Sequence, residues 1–244
     1  MNNTNSIKIE RPSLLYYIAE PFRAIGERIR VIPFLRKFQC TQKGDGHPVI
    51  VIPGFMGNDA SVKLLSGFLN KHGYQSQTWG LGMNFGNLKD VEELSRRIEK
   101  LFQAKGEKIS LIGWSLGGVY ARQIAKRHPE KIRQVITMCS PFLGADHPNN
   151  AAWLFSLVHG GTKITDLDPN WLADLPSPAP VPTTALYSKT DGVVPWQTCM
   201  ESVEDAIHQN IEIKGSHIGV IYNKNVLPIL IDRLQYSEEN WKKN

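Results

Sequence analysis

A serine flanked by glycines is the strongest candidate nucleophile in this 244-residue chain. It is Ser115, in the segment Gly113-Trp-Ser115-Leu-Gly117, between an apolar run typical of a buried strand (109–112) and a predicted helix (116–127). A serine at the tip of a sharp strand-to-helix turn has a strained backbone, and larger side chains two residues away on either side would collide with the neighbouring strand or helix. The pattern indicates nucleophilic catalysis. The alternative is a tight glycine-serine turn without chemistry.

The residues around Ser115 resemble the nucleophile elbow of a known superfamily. Gly-Trp-Ser-Leu-Gly-Gly, at 113–118, is similar to the elbow of the α/β-hydrolases, especially their lipase and esterase branches. The resemblance covers about residues 47–235 and leaves the N-terminal segment outside. It implies an α/β-hydrolase fold, with a mostly parallel central sheet, helices on both faces and a small helical cap.

A serine nucleophile needs a general base, and histidine suits neutral pH. The family's chain order is serine, acid, histidine. That order and a loop of small residues after a predicted strand point to His217 among the seven histidines. Asp191 begins an Asp-Gly-Val-Val-Pro turn that is similar to the family's acid turn, and it would hold the imidazole in one tautomer. The alternative for Asp191 is a plain Asp-Gly turn. Asp166 and Asp168, in the predicted cap, are weaker candidates for the acid.

The family also implies an oxyanion hole made of two backbone amides. One is the amide after the nucleophile, which corresponds to Leu116. The other lies in the loop Pro53-Gly-Phe-Met-Gly57, which is similar to the family's His-Gly loop with Pro53 in place of the histidine. The aligned donor is the amide of Phe55, with Met56 as the alternative. An ordinary glycine turn is the other interpretation of this loop.

These residues together predict a serine hydrolase that cleaves carboxylic esters, of an apolar acyl or lipid type, through an acyl-serine intermediate. The resemblance implies neither a metal nor a cofactor. Two other functions remain open. One is an acyltransferase that passes the acyl group to a bound alcohol or amine. The other is a non-catalytic protein that uses the scaffold at a membrane surface or for interaction.

The elements that must hold these residues alternate between strands and helices. Apolar and β-branched runs predict strands at 49–52, 74–79, 108–112, 135–138, 183–187 and 211–213. Helical spacing of apolar residues predicts helices at 59–72, 90–104, 116–127 and 225–234. Such an alternation predicts parallel βαβ units with right-handed crossovers.

An apolar insertion at 142–175 is predicted to form the cap. Its apolar side chains suit the lining of an acyl pocket. The candidate pocket residues are Met56, Trp114, Trp153 and Phe155. The alternative is a small helical layer over the sheet edge that does not contact substrate.

The first 46 residues are predicted to be a separate segment, followed by the hydrolase domain at 47–244. This segment carries eight Lys and Arg against four Asp and Glu, which is nearly all of the chain's net charge of +5. Within 12–38, Pro21 predicts two short helices or a kink. Apolar residues spaced by three or four define one helical face, at Leu14, Leu15, Ile18, Phe22, Ile25 and Ile29. The segment is interpreted either as a basic amphipathic helix on an anionic membrane or as a helix packed on the domain with its arginines in water.

Composition argues against several other classes of protein. Cys40, Cys139 and Cys199 are far apart, and so sparse and odd a set favours a reducing compartment over a disulfide framework or a metal cluster. The sequence predicts no secretory signal and no membrane-spanning run, which favours the cytoplasm with peripheral membrane contact as the alternative. Basic residues are not interleaved with stacking aromatics, so nucleic acid is not an expected partner.

Overall fold

The computed structural model describes residues 9–40, 42–143, 149–150, 152–161, 166, 168–237 and 239–241. The strands are β1 (Pro48–Ile52), β2 (Gln75–Thr78), β3 (Ile109–Trp114), β4 (Ile132–Met138), β5 (Thr183–Tyr187) and β6 (His208–Glu212). The helices are α1 (Leu14–Lys37), α2 (Asp59–Lys71), α3 (Leu88–Lys105), α4 (Leu116–Arg127), α5 (Ala152–Val158), α6 (Pro169–Asp174) and α7 (Val226–Leu234). Two short 3₁₀ helices lie at Trp196–Cys199 and Val220–Tyr222.

The six strands form one sheet in the order β2-β1-β3-β4-β5-β6. Every neighbouring pair runs parallel. The carboxyl ends of parallel strands meet at one edge, so the loops that follow β1, β3, β5 and β6 are brought together there. The sheet confirms the predicted α/β class.

Both faces of the sheet are covered by helices, because alternate side chains of each buried strand enter different cores. Val49 and Val51 of β1 pack in one core with α2 and α7. Ile50 and Ile52 of the same strand pack in the other core with α3 and α4. The continuous apolar run of β1 follows from this burial on both sides.

Three element predictions need correction. Strand β4 begins at Ile132 and not at 135. The last strand is His208–Glu212 and not 211–213, because the Asp205 carboxylate accepts from the amides of Ile207 and His208 and starts the strand earlier. Helix α1 is a single element that continues through Pro21, where two short helices were one expectation. Side chains of α1 on both sides of Pro21 are bonded to the domain, so tertiary contacts outweigh the missing backbone N–H.

The orientation of helix α1 also differs from the interpretation in which its apolar stripe packs on the domain. Its apolar stripe is exposed, with Leu15 79% and Phe22 75% accessible. The side that meets the domain includes Glu20, Ala24 and Val31, all of them buried. No helix in the described residues has both the length and the apolar character needed to cross a bilayer.

The predicted cap is described in part. Helices α5 and α6 lie within 142–175, while 144–148, 151, 162–165 and 167 lie outside the described residues. The division at residue 46 and the cap's role over the site stay predictions.

Candidate active site

Ser115 lies at the turn between β3 and α4, where its backbone has φ 52° and ψ −124°. This is a left-handed region that a non-glycine residue occupies only when its surroundings enforce it. The flanking glycines make the turn possible. A Cβ on Gly113 would lie 2.3 Å from the Cα of Gly118, and one on Gly117 would lie 2.4 Å from the carbonyl oxygen of Ile52. The local sequence therefore produces the exposed elbow that presents the Ser115 hydroxyl.

Ser115, His217 and Asp191 form one hydrogen-bonded chain. His217 Nε2 lies 3.0 Å from Ser115 Oγ, and His217 Nδ1 lies 2.7 Å from Asp191 Oδ2. The other oxygen of Asp191 accepts from the amides of Val193 (2.7 Å) and Val194 (2.9 Å). A carboxylate held on both oxygens accepts a hydrogen bond from Nδ1–H, which keeps the proton on Nδ1 and leaves the lone pair of Nε2 facing the serine.

The electrostatic environment of His217 favours its protonated form. Burial alone lowers the pKa of the imidazole, but the charge of Asp191, its hydrogen bond and the charge of Glu20 together raise that pKa above its ordinary value. The imidazolium that forms when His217 accepts a proton is stabilised by the carboxylates of Asp191 and Glu20. The site therefore stabilises the protonated imidazole that a general base becomes when it accepts a proton.

Glu20 of α1 is a member of this site that the sequence analysis missed. Its carboxylate is 1% exposed, and its Oε1 accepts from the amides of Gly192 and His217, each at 3.0 Å. Its Oε2 accepts from the amide of Ile218, also at 3.0 Å. The Glu20 side chain thus links the loop that carries Asp191 to the loop that carries His217.

Two further side chains of α1 bind the same loops. Arg23 donates to the Thr190 carbonyl (2.6 Å) and hydroxyl (2.9 Å), next to Asp191. Glu27 accepts from the amide (2.9 Å) and hydroxyl (2.7 Å) of Ser216, next to His217. The side of α1 that faces the domain therefore binds Thr190, which precedes Asp191, and Ser216, which precedes His217.

The loop that carries the predicted oxyanion donor Phe55 lies beside the elbow that carries Leu116. A Cβ on Gly54 would lie 2.9 Å from the Ser115 Cβ, so the loop after β1 packs directly on the elbow. Among the described residues, neither the Phe55 nor the Leu116 amide has an acceptor in the protein. Met56 is a poor alternative donor, because its amide already donates to the Asn84 carbonyl at 2.7 Å.

Asn84 fixes the conformation of this loop and was also missed as a site residue. It is fully buried, its side-chain amide donates to the Pro53 carbonyl (2.9 Å), and its backbone amide donates to the Gly57 carbonyl (2.8 Å). With the bond from Met56, three contacts join Asn84 to the segment that carries Phe55. The sequence signal was the Gly82-Met-Asn-Phe-Gly86 segment, but its composition does not show which loop it would hold.

The four predicted pocket residues differ in their placement. Phe155 of α5 lies 5.6 Å from the Phe55 ring centre, beside the oxyanion loop, and the side chain of Met56 is exposed. Trp114 is instead buried in the core and donates from Nε1 to the His217 carbonyl at 2.9 Å, so it supports the histidine loop from the core side. Trp153 belongs to α5, and its side chain lies outside the described part.

A second Asp-His-Ser chain exists elsewhere in the molecule. His47 lies 2.5 Å from Asp45 Oδ1 through Nδ1 and 2.8 Å from Ser110 Oγ through Nε2. Ser110 is fully buried in the middle of β3, so substrate does not reach its hydroxyl. Burial lowers the pKa of His47, which keeps this histidine neutral. The constellation is structural, and it shows that distances alone do not define a catalytic triad.

Cys139 is the remaining polar neighbour of the triad. Its Sγ lies within 4.8 Å of a carboxylate oxygen of Asp191 and of a ring nitrogen of His217. Burial, followed by the charge of Asp191, raises the pKa of the thiol well above its ordinary value.

Comparison with known proteins agrees with the fold and the elbow. A family model described as the alpha/beta hydrolase fold matches residues 72–176, which include Ser115. Residues of the chain are 41% identical over 58 positions to the biotin biosynthesis bifunctional protein BioHC of Teredinibacter turnerae. That alignment spans 23% of this chain and 10% of the relative's length.

Solved structures match over most of the chain. A Bacillus licheniformis lipase, BlEst2 in mature form, has a TM-score of 0.59 at 15% identity and covers 82% of this chain and 95% of its own. Aspergillus fumigatus lipase B has a TM-score of 0.62 at 17% identity and covers 84% of this chain and 57% of its own. The chain has the α/β-hydrolase fold, as the resemblance around Ser115 implied.

Proposed function

We propose that the protein is a serine hydrolase of carboxylic esters that have an apolar acyl group. The observation that carries this proposal is the chain from Asp191 Oδ2 to His217 Nδ1 (2.7 Å) and from His217 Nε2 to Ser115 Oγ (3.0 Å), at a strained elbow. Matches to lipase structures support ester hydrolysis in general terms.

The proposed reaction has two halves. Ser115 Oγ attacks the acyl carbon while His217 Nε2 takes the hydroxyl proton, and the carbonyl electron pair moves to oxygen. The Phe55 and Leu116 amides donate to that oxyanion. Collapse of the intermediate breaks the ester bond, and the leaving alkoxide takes the proton from Nε2. A water then attacks the acyl-serine with Nε2 as base, which releases the carboxylic acid and restores Ser115.

The preference for an apolar acyl group rests on the side chains around the oxyanion loop. Phe55 and Phe155 lie 5.6 Å apart, and His159 stacks on Phe155 with ring centres 4.1 Å apart. The Leu116 side chain shares contact with the same region, since a Cβ on Gly86 would meet both Phe155 and Leu116. Aromatic and aliphatic walls of this kind suit a hydrocarbon chain better than a charged or sugar group.

The test is hydrolysis of p-nitrophenyl esters of increasing acyl length by the wild type, Ser115→Ala and Ser110→Ala. We expect turnover by the wild type, an optimum at medium or long chains, and loss of at least about 1,000-fold in Ser115→Ala. Ser110→Ala removes the serine of the structural chain and should retain turnover and labelling by a fluorophosphonate. Labelling that persists in Ser115→Ala would contradict the proposal. A transfer product that forms only after an alcohol acceptor is added would identify an acyltransferase.

A further inference from the structure

The outer face of α1 is an uninterrupted apolar stripe with nothing packed on it in the described part of the chain. Its members follow spacings of three and four residues and are all exposed, at Leu15, Ile18, Phe22, Ile25, Ile29 and Ile32. Soluble proteins rarely expose such a contiguous apolar surface without a binding role. We call this surface the outer stripe.

The orientation of α1 is fixed by its other side. Glu20, Arg23 and Glu27 are hydrogen-bonded to the acid and histidine loops, and Val31 is buried in the core. Rotating the helix to bury the outer stripe would leave the Glu20 and Glu27 carboxylates without these donors. Exposure of the stripe is thus built into the packing of the domain.

The acidic side chains of α1 and its exposed basic side chains also lie on different sides of the helix. Its acids are Glu20 and Glu27, and both are turned inward onto backbone amides. The exposed charges of the helix are all cations, at Arg28, Arg30, Arg36 and Lys37. An apolar stripe flanked only by positive charge matches the interface of an anionic bilayer, where acyl chains lie beneath negatively charged headgroups.

We propose that α1 docks lengthwise on an anionic lipid surface through the outer stripe. A helix of 24 residues is about 36 Å long, and its polar inner face is held by the domain, so it lies in the interface rather than crossing it. The same helix holds the histidine loop through Glu20, so docking places the Ser115 site next to the lipid. This proposal does not depend on ester hydrolysis.

A second copy of the chain is the rival occupant, because spacings of three and four also suit pairing of two helices. Self-association through this face would bring the cationic flanks of two copies together, with no exposed acid on α1 to pair with them. Charge complementarity therefore favours the lipid surface.

The test is co-sedimentation of the full chain with phosphatidylcholine vesicles that contain or lack phosphatidylglycerol. We expect binding to the anionic vesicles that weakens with salt, and a drop of about tenfold or more in the partition coefficient for Phe22→Glu. Arg30→Ser should lower binding to anionic vesicles about fivefold. Val203→Glu is the matched control, because Val203 is an exposed apolar residue in the loop before β6, and it should bind as the wild type does.

Absence of wild-type binding to either vesicle would overturn the proposal, and so would equal losses in Phe22→Glu and Val203→Glu. Sedimentation equilibrium without lipid tests the rival. A dimer that Phe22→Glu abolishes, in a protein that does not bind vesicles, would assign the outer stripe to a second copy. Ser115→Ala should bind vesicles normally, so loss of hydrolysis and loss of docking are distinguishable.

Discussion

Replacing Glu20 by glutamine tests whether helix α1 controls the protonation of His217, the proposed base. The two side chains have the same shape, but the glutamine has one oxygen and one NH₂ group. The best orientation keeps the oxygen on the amides of Gly192 and His217 and turns the NH₂ toward the amide of Ile218. One donor then faces another, so Ile218 loses its acceptor.

The magnitude follows from the bonds that change. A hydrogen bond to a charged group contributes about 1.5–3 kcal/mol, and a buried donor left without an acceptor costs about 1–3 kcal/mol. We therefore expect Glu20→Gln to lower the free energy of unfolding by about 2–4 kcal/mol. Because the His217 backbone loses its charged anchor, kcat/KM at the optimum pH should fall by about 10- to 100-fold.

The decisive readout is the acid limb of the kcat/KM profile, which reports the pKa of His217 in the free enzyme. In the wild type this limb should lie above the ordinary histidine pKa of about 6.5, because Asp191 and Glu20 stabilise the imidazolium. Removing the charge of Glu20 makes protonation less favourable. The pKa therefore falls, and the acid limb of Glu20→Gln moves to lower pH.

Glu27→Gln is the matched control. Glu27 is on the same helix and binds the neighbouring Ser216, but its charge does not contribute to the shifted pKa of His217. It should lower stability without moving the acid limb. If the limb stays in place in Glu20→Gln, or moves equally in both variants, Glu20 is only a structural anchor and the electrostatic reasoning fails.

Two more predictions concern the oxyanion loop and the buried Asp45-His47-Ser110 chain. Asn84→Ala should lower kcat by about 10- to 100-fold with a smaller change in KM, since it frees the loop that carries the Phe55 amide; an unchanged kcat in a variant shown to be folded would contradict this. Partial burial raises the pKa of Asp45, but hydrogen bonds from His47 and Arg133 outweigh burial and lower this pKa to about 2. The unfolded pKa of an aspartate is about 4. The ionised Asp45 carboxylate therefore stabilises the fold above about pH 4, and this stabilisation is lost as pH falls toward 2. In urea unfolding, the stability difference between the wild type and Asp45→Asn should shrink from about pH 5 to about pH 3. A constant difference would rule out this linkage. Asp45 is half-exposed, so water screens the effect.

The contact between Ser115, Asp191 and His217 was predictable because each residue lies in a short local pattern. Gly113 and Gly117 are required by contacts of the elbow itself, and the small residues around His217 allow a loop at the sheet edge. Chain order then separated His217 from His47, whose contacts with Asp45 and Ser110 have similar lengths. Backbone requirements of this local kind determine which residues are adjacent in the sequence. This part of the site can therefore be predicted from the sequence.

Glu20 and Asn84 were not predictable because their roles depend on distant partners. Periodicity identified the apolar stripe of α1, but it does not say whether that stripe faces the domain or the solvent. The answer came from donors on Gly192, His217 and Ile218, more than 170 positions along the chain. Similarly, Asn84 acts through carbonyls of another loop, which composition does not specify.

The distance along the chain between Glu20 and its partners also sets when the site is completed. During synthesis Glu20 of α1 is made before the amides of His217 and Ile218, which lie 197 and 198 positions further along the chain. Contacts of such long separation form late in folding, because the intervening chain must first be ordered. Ser115 is therefore made well before His217, its proposed base, is anchored by Glu20. A chain released before residue 217 would contain Ser115 but not His217, so the hydrogen-bonded chain of Ser115, His217 and Asp191 forms only after the histidine loop has been made.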